Sequence, residues 1–173
     1  RALPHRLDTA VEIGPGTGSF LPWLADHFEN VKAVDTSAEL LQLAKHNNQH
    51  LDNIDFIEAD ASEFQQAADC IVANMVLHHV PSPQQLISHL ASVLKPGGVL
   101  AITDLCAHSQ DWAREACGDL WLGFETNDVT QWATDAGLVL TQSQFLAQRN
   151  GFRLQILNYS RPVSGQKLFT LNP

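Results

Sequence analysis

VEIGPGTGSF, residues 11 to 20, sets three glycines directly behind a short apolar run. Glycine weakens the interior of a helix or strand. It is favoured where the backbone turns sharply or presses close to another group. The run Thr9 to Ile13 therefore reads as a buried strand and Gly14 to Gly18 as a tight turn. Behind the turn, Phe20, Leu21, Leu24, Ala25 and Phe28 recur at helical spacing, giving a helix over Gly18 to Phe28. Pro22 falls in its first turn, where a missing N–H is harmless. Such a loop is either a plain strand-to-helix turn or a cradle for a ligand, and the rest of the chain decides which.

The strand–turn–helix unit then repeats. Val31 to Val34 is a second strand ending at Asp35, and Thr36 with Glu39 has capping-box spacing before Leu40, Leu41 and Ala44. Ile54 to Ala59 is a third strand, ending at Asp60, and Ala68 to Ala73 a fourth, ending at Asn74. Ser82, Pro83 and Gln85 open a helix carrying Leu86, Leu90 and Leu94, which stops at KPGG, residues 95 to 98. Val99 to Thr103 is a fifth strand. After an irregular, aromatic-rich stretch, Val129, Trp132, Ala133 and Ala136 define another helix closed by Gly137. Leu138 to Gln148 and Phe152 to Tyr159 flank Asn150–Gly151, a hairpin signal. The expected fold is α/β: a Rossmann-like, doubly wound, seven-stranded sheet, mostly parallel, with a C-terminal antiparallel hairpin.

The 173 residues suit one domain, 1–173, with one substantial core. The N-terminal RALPHRLDTA has neither an initiator Met nor the apolar centre of a signal peptide. The sequence is therefore expected to be part of a longer chain, and the family resemblance given below implies that an N-terminal lid or additional domain is what it lacks. No apolar run approaches the roughly 18 residues of a membrane span. A net charge of −9, with ten scattered Lys and Arg, argues against nucleic-acid contact by this stretch. Three widely spaced cysteines, Cys70, Cys106 and Cys117, make a poor disulfide framework and fit the cytoplasm.

In open α/β sheets, ligands bind outside the carboxyl ends of the strands. Those ends carry Gly14, Gly16 and Gly18, then Asp35, Asp60, Asn74 and Asp104. The glycine spacing departs from G-x-G-x-x-G, because position 19 is Ser. Glu12 places a carboxylate near the loop that would repel a pyrophosphate and attract a cation. Asp35, seventeen residues after Gly18, stands where an acidic side chain can take both ribose hydroxyls. The alternative, that Asp35 caps the next helix, is weakened by Thr36 standing ready for that job. A ligand with an adenosine, a positive group and no pyrophosphate is implied, and S-adenosyl-L-methionine fits.

VEIGPGTG, AVDTS, IEADASEF, DCIVANMVLHHVP and LKPGGVLAITDL, in that order, resemble the class I S-adenosylmethionine-dependent methyltransferases, nearest to the methyltransferase type 11 group. ANMVLHHV with DLWLGF further resembles methyltransferase domains fused behind ArsR-type regulators. The resemblance implies that Gly14, Gly16 and Gly18 admit the methionine part of the cofactor, with Glu12 holding its ammonium directly or through water. It places Asp35 on the ribose, Thr36 beside the adenosine, Asp60 with Ala61 at the adenine, and Asn74 with Met75 near the sulfonium. The expected reaction is methyl transfer to a small molecule. A homodimer and a fused N-terminal regulator are compatible partners. The rival readings are a non-catalytic sensor of the same cofactor and an NAD(P)-dependent oxidoreductase.

His78 or His79 could serve as a base towards the acceptor, against loop packing as the plainer reading. A metal chelate is not expected, because neighbouring side chains do not share a helix face. Thiolate-dependent arsenic methylation would need cooperating cysteines, yet Cys106 and Cys117 are eleven residues apart and Cys70 lies mid-strand. Trp112, Trp121 and Phe124 are candidates for an acceptor wall, and Trp132 for the core.

Overall fold

The computed structural model describes residues 6–164; the ends of the expected 1–173 domain, residues 1–5 and 165–173, lie outside the described residues. Seven strands form one sheet in the order β3-β2-β1-β4-β5-β7-β6. They are β1 (Leu7–Ile13), β2 (Phe28–Asp35), β3 (Ile54–Glu58), β4 (Ala68–Asn74), β5 (Leu94–Leu105), β6 (Val139–Ala147) and β7 (Arg153–Ser160). The first five run parallel, and β7 is antiparallel to both β5 and β6. The strand order reverses beside β1, which pairs with β2 on one side and β4 on the other. That reversal opens a crevice at the carboxyl ends, where open sheets of this kind take their ligands.

Helices cover both faces. Helices α1 (Leu21–His27) and α2 (Ala38–Asn47) close one, packing Leu21, Leu24, Ala25 and Ala44 on Ala10, Val31, Ala33 and Val72. On the other face lie α3 (Pro83–Val93) and α5 (Thr126–Asp135), burying Leu86, Ile87, Leu90, Val129 and Ala133 against Val11, Ile13, Ile71, Leu100, Ile102 and Leu157. The even and odd residues of β1 thus go to opposite layers, as a period of two requires. A short α4 (Trp112–Cys117) belongs to the irregular stretch after β5.

The expected doubly wound sheet is present, with its element boundaries shifted. The first helix begins at Leu21, and Phe28 already opens β2 rather than closing the helix. Phe28 is buried against the same helix either way, so its apolar signal could not tell the two apart. The second helix is capped by Ser37, not Thr36: the Asp35 carboxylate accepts from the Ser37 N–H at 2.9 Å, and the Ser37 hydroxyl accepts from the Leu40 N–H at 3.2 Å. This Asx turn carries the chain one residue further before the helix starts. Strand β5 starts at Leu94 rather than Val99, because KPGG is absorbed as an irregularity between the Ala68–Leu94 and Cys70–Val99 pairs. Gly97 supplies the left-handed φ of 80° needed there. The expected hairpin over Asn150–Gly151 forms between β6 and β7.

Candidate functional site

The glycine loop is built by its neighbours as much as by its glycines. The Gly14 N–H donates to the Val34 carbonyl at 2.8 Å, tying the exit of β1 to β2, and the Gly18 N–H donates to the Pro15 carbonyl at 2.9 Å. Two asparagines at the end of α2 hold the far side. Asn47 donates to the Thr17 carbonyl and buried Asn48 to the Gly18 carbonyl, each at 3.0 Å. Gly14, Gly16 and Gly18 all have positive φ. A Cβ at Gly18 would stand 2.6 Å from Asn48 Nδ2 and 3.0 Å from the Ala44 Cβ, so that glycine permits the approach of α2. A Cβ at Gly16 would meet nothing within 4 Å, which leaves that side of the loop open.

A cleft of about 550 Å³ lies over the carboxyl ends of the first strands. It is lined by Gly14 and Gly16, Asp35 and Thr36, Asp60 and Ala61, Met75 and His79. Seven of the ten residues expected to hold a cofactor therefore share one cleft. One Asp35 oxygen takes the Ser37 N–H, which fixes the carboxylate at the strand end. One Asp60 oxygen accepts from the Ser62 N–H and hydroxyl, and these bonds hold its carboxyl below the usual range. Met75 has a φ of 57°, left-handed and strained for a side chain of its size, and its N–H donates to the Thr103 carbonyl at 2.7 Å. Residues held this way cluster at ligand sites.

The other three stand apart from that lining. Gly18 packs under α2. Asn74 lines a second cavity, of about 730 Å³, on the α1 face of the sheet, with Phe20, Trp23, Val72 and Thr103. Glu12 is 2% exposed, with Oε2 buried and unpartnered. Its paired neighbours across the sheet are Ala33 and Val72, which offer it no charge. Burial pushes its carboxyl up to about 7. A lone buried carboxylate beneath a glycine loop is chemically suited to a cation, and this orphaned oxygen is the feature of the site that fits a cofactor carrying an ammonium.

The two histidines lie on a 3-10 turn, Leu77–His79, beyond β4. Buried His78 contacts Asp104 through Nδ1 at 2.7 Å, and the same Asp104 oxygen accepts the Leu105 N–H at 2.7 Å. Burial works to lower the basicity of His78, but Asp104 through its hydrogen bond and charge, with the Asp119 charge, leaves it raised overall. The rings of His78 and His79 are 4.0 Å apart between centroids, so the expectation that neighbouring side chains diverge does not hold in this tight turn. Asp119, which the sequence did not single out as a site residue, joins them from the loop after α4. Only its place inside DLWLGF hinted at it.

The aromatic candidates separate. Trp121 donates to the Val80 carbonyl at 2.9 Å and neighbours buried Phe124, so these two flank the histidine turn. Trp132 packs edge-on against Phe124 and the core, as expected. Trp112 instead meets Phe152 beside the hairpin loop. Burial, with the Asp69 charge, pushes the Cys70 thiol up to about 11, and burial raises Cys106 too, so neither is suited to thiolate chemistry. Among the described residues no helix is long and apolar enough to cross a membrane.

Comparison with known proteins agrees with this geometry. A family model described as a methyltransferase domain matches residues 2–153. The chain is 28% identical over 151 residues to a ubiquinone biosynthesis O-methyltransferase of Coxiella burnetii, covering 75% of this chain and 63% of that protein. It is 33% identical over 92 residues to a trans-aconitate 2-methyltransferase of Deinococcus radiodurans, covering 53% of this chain and 36% of the other. The chain thus spans less than two thirds of the length of these relatives. Among solved structures, the N-methyltransferase NodS of Bradyrhizobium japonicum in complex with S-adenosyl-L-homocysteine superposes with a TM-score of 0.76 at 19% identity, covering 91% of this chain and 79% of that one. The cyclase SpnF superposes with a TM-score of 0.79 at 17% identity, covering 92% and 76%. Such distant structural likeness speaks for the fold, which hosts more than one chemistry. The family match spans nearly the whole described chain and coincides with the glycine loop and its cleft, and on that ground the chain belongs to the methyltransferase domain family.

Proposed function

We propose that this chain binds S-adenosyl-L-methionine in the cleft over β1 to β4 and transfers its methyl group to a small-molecule acceptor. The observation that carries the reading is the gathering of Gly14, Gly16, Asp35, Thr36, Asp60, Ala61 and Met75 along one cleft at the sheet's switch point. When bound, the cofactor supplies a methyl group already activated on a sulfonium. The chain's residues then have to hold, orient and exclude. Asp35 offers its free oxygen to the ribose hydroxyls, while its other oxygen stays with Ser37. Asp60, held by Ser62, and Ala61 present the adenine edge. Glu12 answers the ammonium from beneath the loop, through a water or after a small shift. Met75 and Asn74 stand at the end of β4, where acceptor and donor would meet.

Positioning is the main task, because a well-aligned intramolecular displacement can remove roughly 7–11 kcal/mol of barrier. His79, half-exposed in the cleft wall, is the side chain best placed to meet an acceptor. We read His78, locked by Asp104, as a positioning residue and not a base in contact with substrate. The same reading keeps the acceptor a small molecule and the protein cytoplasmic, where its free cysteines stay reduced. A homodimer and a fused regulator belong to it as compatible arrangements. The test is calorimetry with S-adenosyl-L-homocysteine beside thermal shift with NADP, followed by turnover against hydroxyl, amine and thiol acceptors. One-to-one binding of the homocysteine compound and methyl transfer to an acceptor support the proposal. A melting shift with NADP alone would overturn it.

A further inference from the structure

We infer that His78, His79 and Asp119 form a three-ligand site for a divalent first-row transition metal of the zinc type, opening onto the cleft. Their ligand atoms all lie within 4.8 Å of one another. His78 Nε2 stands 3.6 Å, and His79 Nδ1 3.7 Å, from the same Asp119 oxygen. A tetrahedral zinc site with bonds of ~2.0–2.2 Å places its ligand atoms roughly 3.4 Å apart. The two edges to Asp119 are close to that spacing and too long for an N–H···O bond, which runs to about 3.2 Å.

Backbone and side-chain contacts hold this cluster together. The His78 carbonyl accepts from the Leu120 N–H at 2.9 Å and from the Trp121 N–H at 3.1 Å, clipping the Asp119 loop to the histidine turn. Asp104 engages Nδ1 of His78, which leaves Nε2 as the nitrogen facing Asp119 and the one that ligates when the ring is neutral. A carboxylate behind a ligating imidazole is the usual support of a histidine metal ligand. Asp119 is 6% exposed, and its Oδ1, the atom facing both rings, is buried without a hydrogen-bond partner. The ion pairs of Asp104 and Asp119 among the described residues are all with these histidines, so no lysine or arginine neutralises them. The other neighbour of His79 Nδ1 is the Gly118 carbonyl, at a long 3.4 Å. A buried carboxylate oxygen without a hydrogen-bond partner is costly unless a cation stands against it, and a metal ion held by the two rings would be that cation.

Two histidines and one carboxylate with a position left open is the pattern of a catalytic zinc site, whereas structural sites close with four ligands. His79 also lines the cleft with Gly14, Asp35 and Met75, so the open position faces the methyl donor's cleft. Resting on the methyl-transfer reading, the ligand class for that position is an acceptor bearing a hydroxyl or thiol that the metal holds as its anion.

The experiment is titration of the chelator-treated full chain with Co²⁺, read by visible absorption, then displacement by Zn²⁺. The expected result is one metal per chain with the intense bands of four-coordinate Co²⁺. His79→Gln and Asp119→Asn should each weaken binding at least tenfold while far-ultraviolet circular dichroism stays unchanged, and His46→Gln should bind normally. Asp104→Asn should weaken it by ~10–100-fold, as loss of such a supporting carboxylate does. Absence of saturable binding, or affinity untouched in both His79→Gln and Asp119→Asn, overturns the site. So does a His78 ring found doubly protonated by nitrogen NMR with zinc present. Binding of S-adenosyl-L-homocysteine to the same samples separates the two readings: its failure sinks methyl transfer and the acceptor class, and leaves the metal titration to judge the site.

Discussion

Replacing Glu12 by Gln removes one buried charge and leaves the shape. In the folded chain Glu12 holds its proton up to about pH 7, because burial disfavours the carboxylate and no counter-charge faces it. In the unfolded chain it loses the proton near the ordinary 4.5. Between these values the folded state binds more protons, so Glu12 lowers stability as pH rises through the window, with the full loss above about 7. At about 1.4 kcal/mol per tenfold, the gap corresponds to roughly 3 kcal/mol. Glu12→Gln should therefore melt higher than wild type at pH 8, by about 2–4 °C for each kcal/mol recovered, and equally at pH 4. Ligand binding gives the mirror image. A bound ammonium favours the carboxylate, so S-adenosyl-L-homocysteine should bind wild type with proton release below pH 7. Its affinity should fall by up to about tenfold per pH step there. The variant should bind weakly with a flatter profile. Differential scanning calorimetry at pH 4 to 8 and isothermal titration at pH 5.5 to 8 read the two effects. Equal melting at pH 8, or the same pH profile in wild type and variant, would refute the reasoning.

Asp35→Asn keeps the turn to Ser37 while removing the charge that faces the ribose. Affinity for S-adenosyl-L-homocysteine should drop roughly ten- to a hundredfold, the worth of a hydrogen bond to a charged group at about 1.5–3 kcal/mol; unchanged calorimetry would contradict the ribose assignment. Gly18→Ala meets both a left-handed φ of 80° and the Asn48 amide, so it should destabilise by about 2 kcal/mol or more in urea unfolding. The matching change at Gly16, where a Cβ has open space, should be milder. Cys117, exposed, should alkylate far faster than Cys70, whose thiol is pushed up to about 11, and mass spectrometry of the native protein reads the order.

The sheet was legible because β1 to β5 each contain a short apolar run leading to a glycine or short polar residue near its carboxyl end, Gly14, Asp35, Asp60, Asn74 and Asp104, and period-two burial splits Ala10 from Val11. Boundaries were less so wherever two local signals served one burial. Phe28 faces α1 whether it ends a helix or opens a strand. Thr36 and Ser37 are both good caps, and the Asp35 side chain chooses between them. KPGG looks like a stop, yet its glycines bend a strand that continues. Of the cleft, the strand-end residues could be read directly, since position along a strand dictates where they emerge. What could not be read was contact across the chain: Asn47 and Asn48 holding the loop, or Asp119 reaching His78 and His79 over some forty residues. Adjacent histidines share no face of an α-helix, and a 3-10 turn spreads neighbours further still, so the meeting of these rings goes with their contacts to Asp104 and Asp119, which sequence spacing does not reveal.

The most direct test of the central claim is a crystal structure of the chain with S-adenosyl-L-homocysteine. The account expects the ribose on the Asp35 carboxylate, the adenine beside Asp60 and Ala61, and the amino-acid tail over the glycine loop above Glu12. A nucleoside seated away from that cleft, or crystals and solution titrations that show no binding at all, would contradict it.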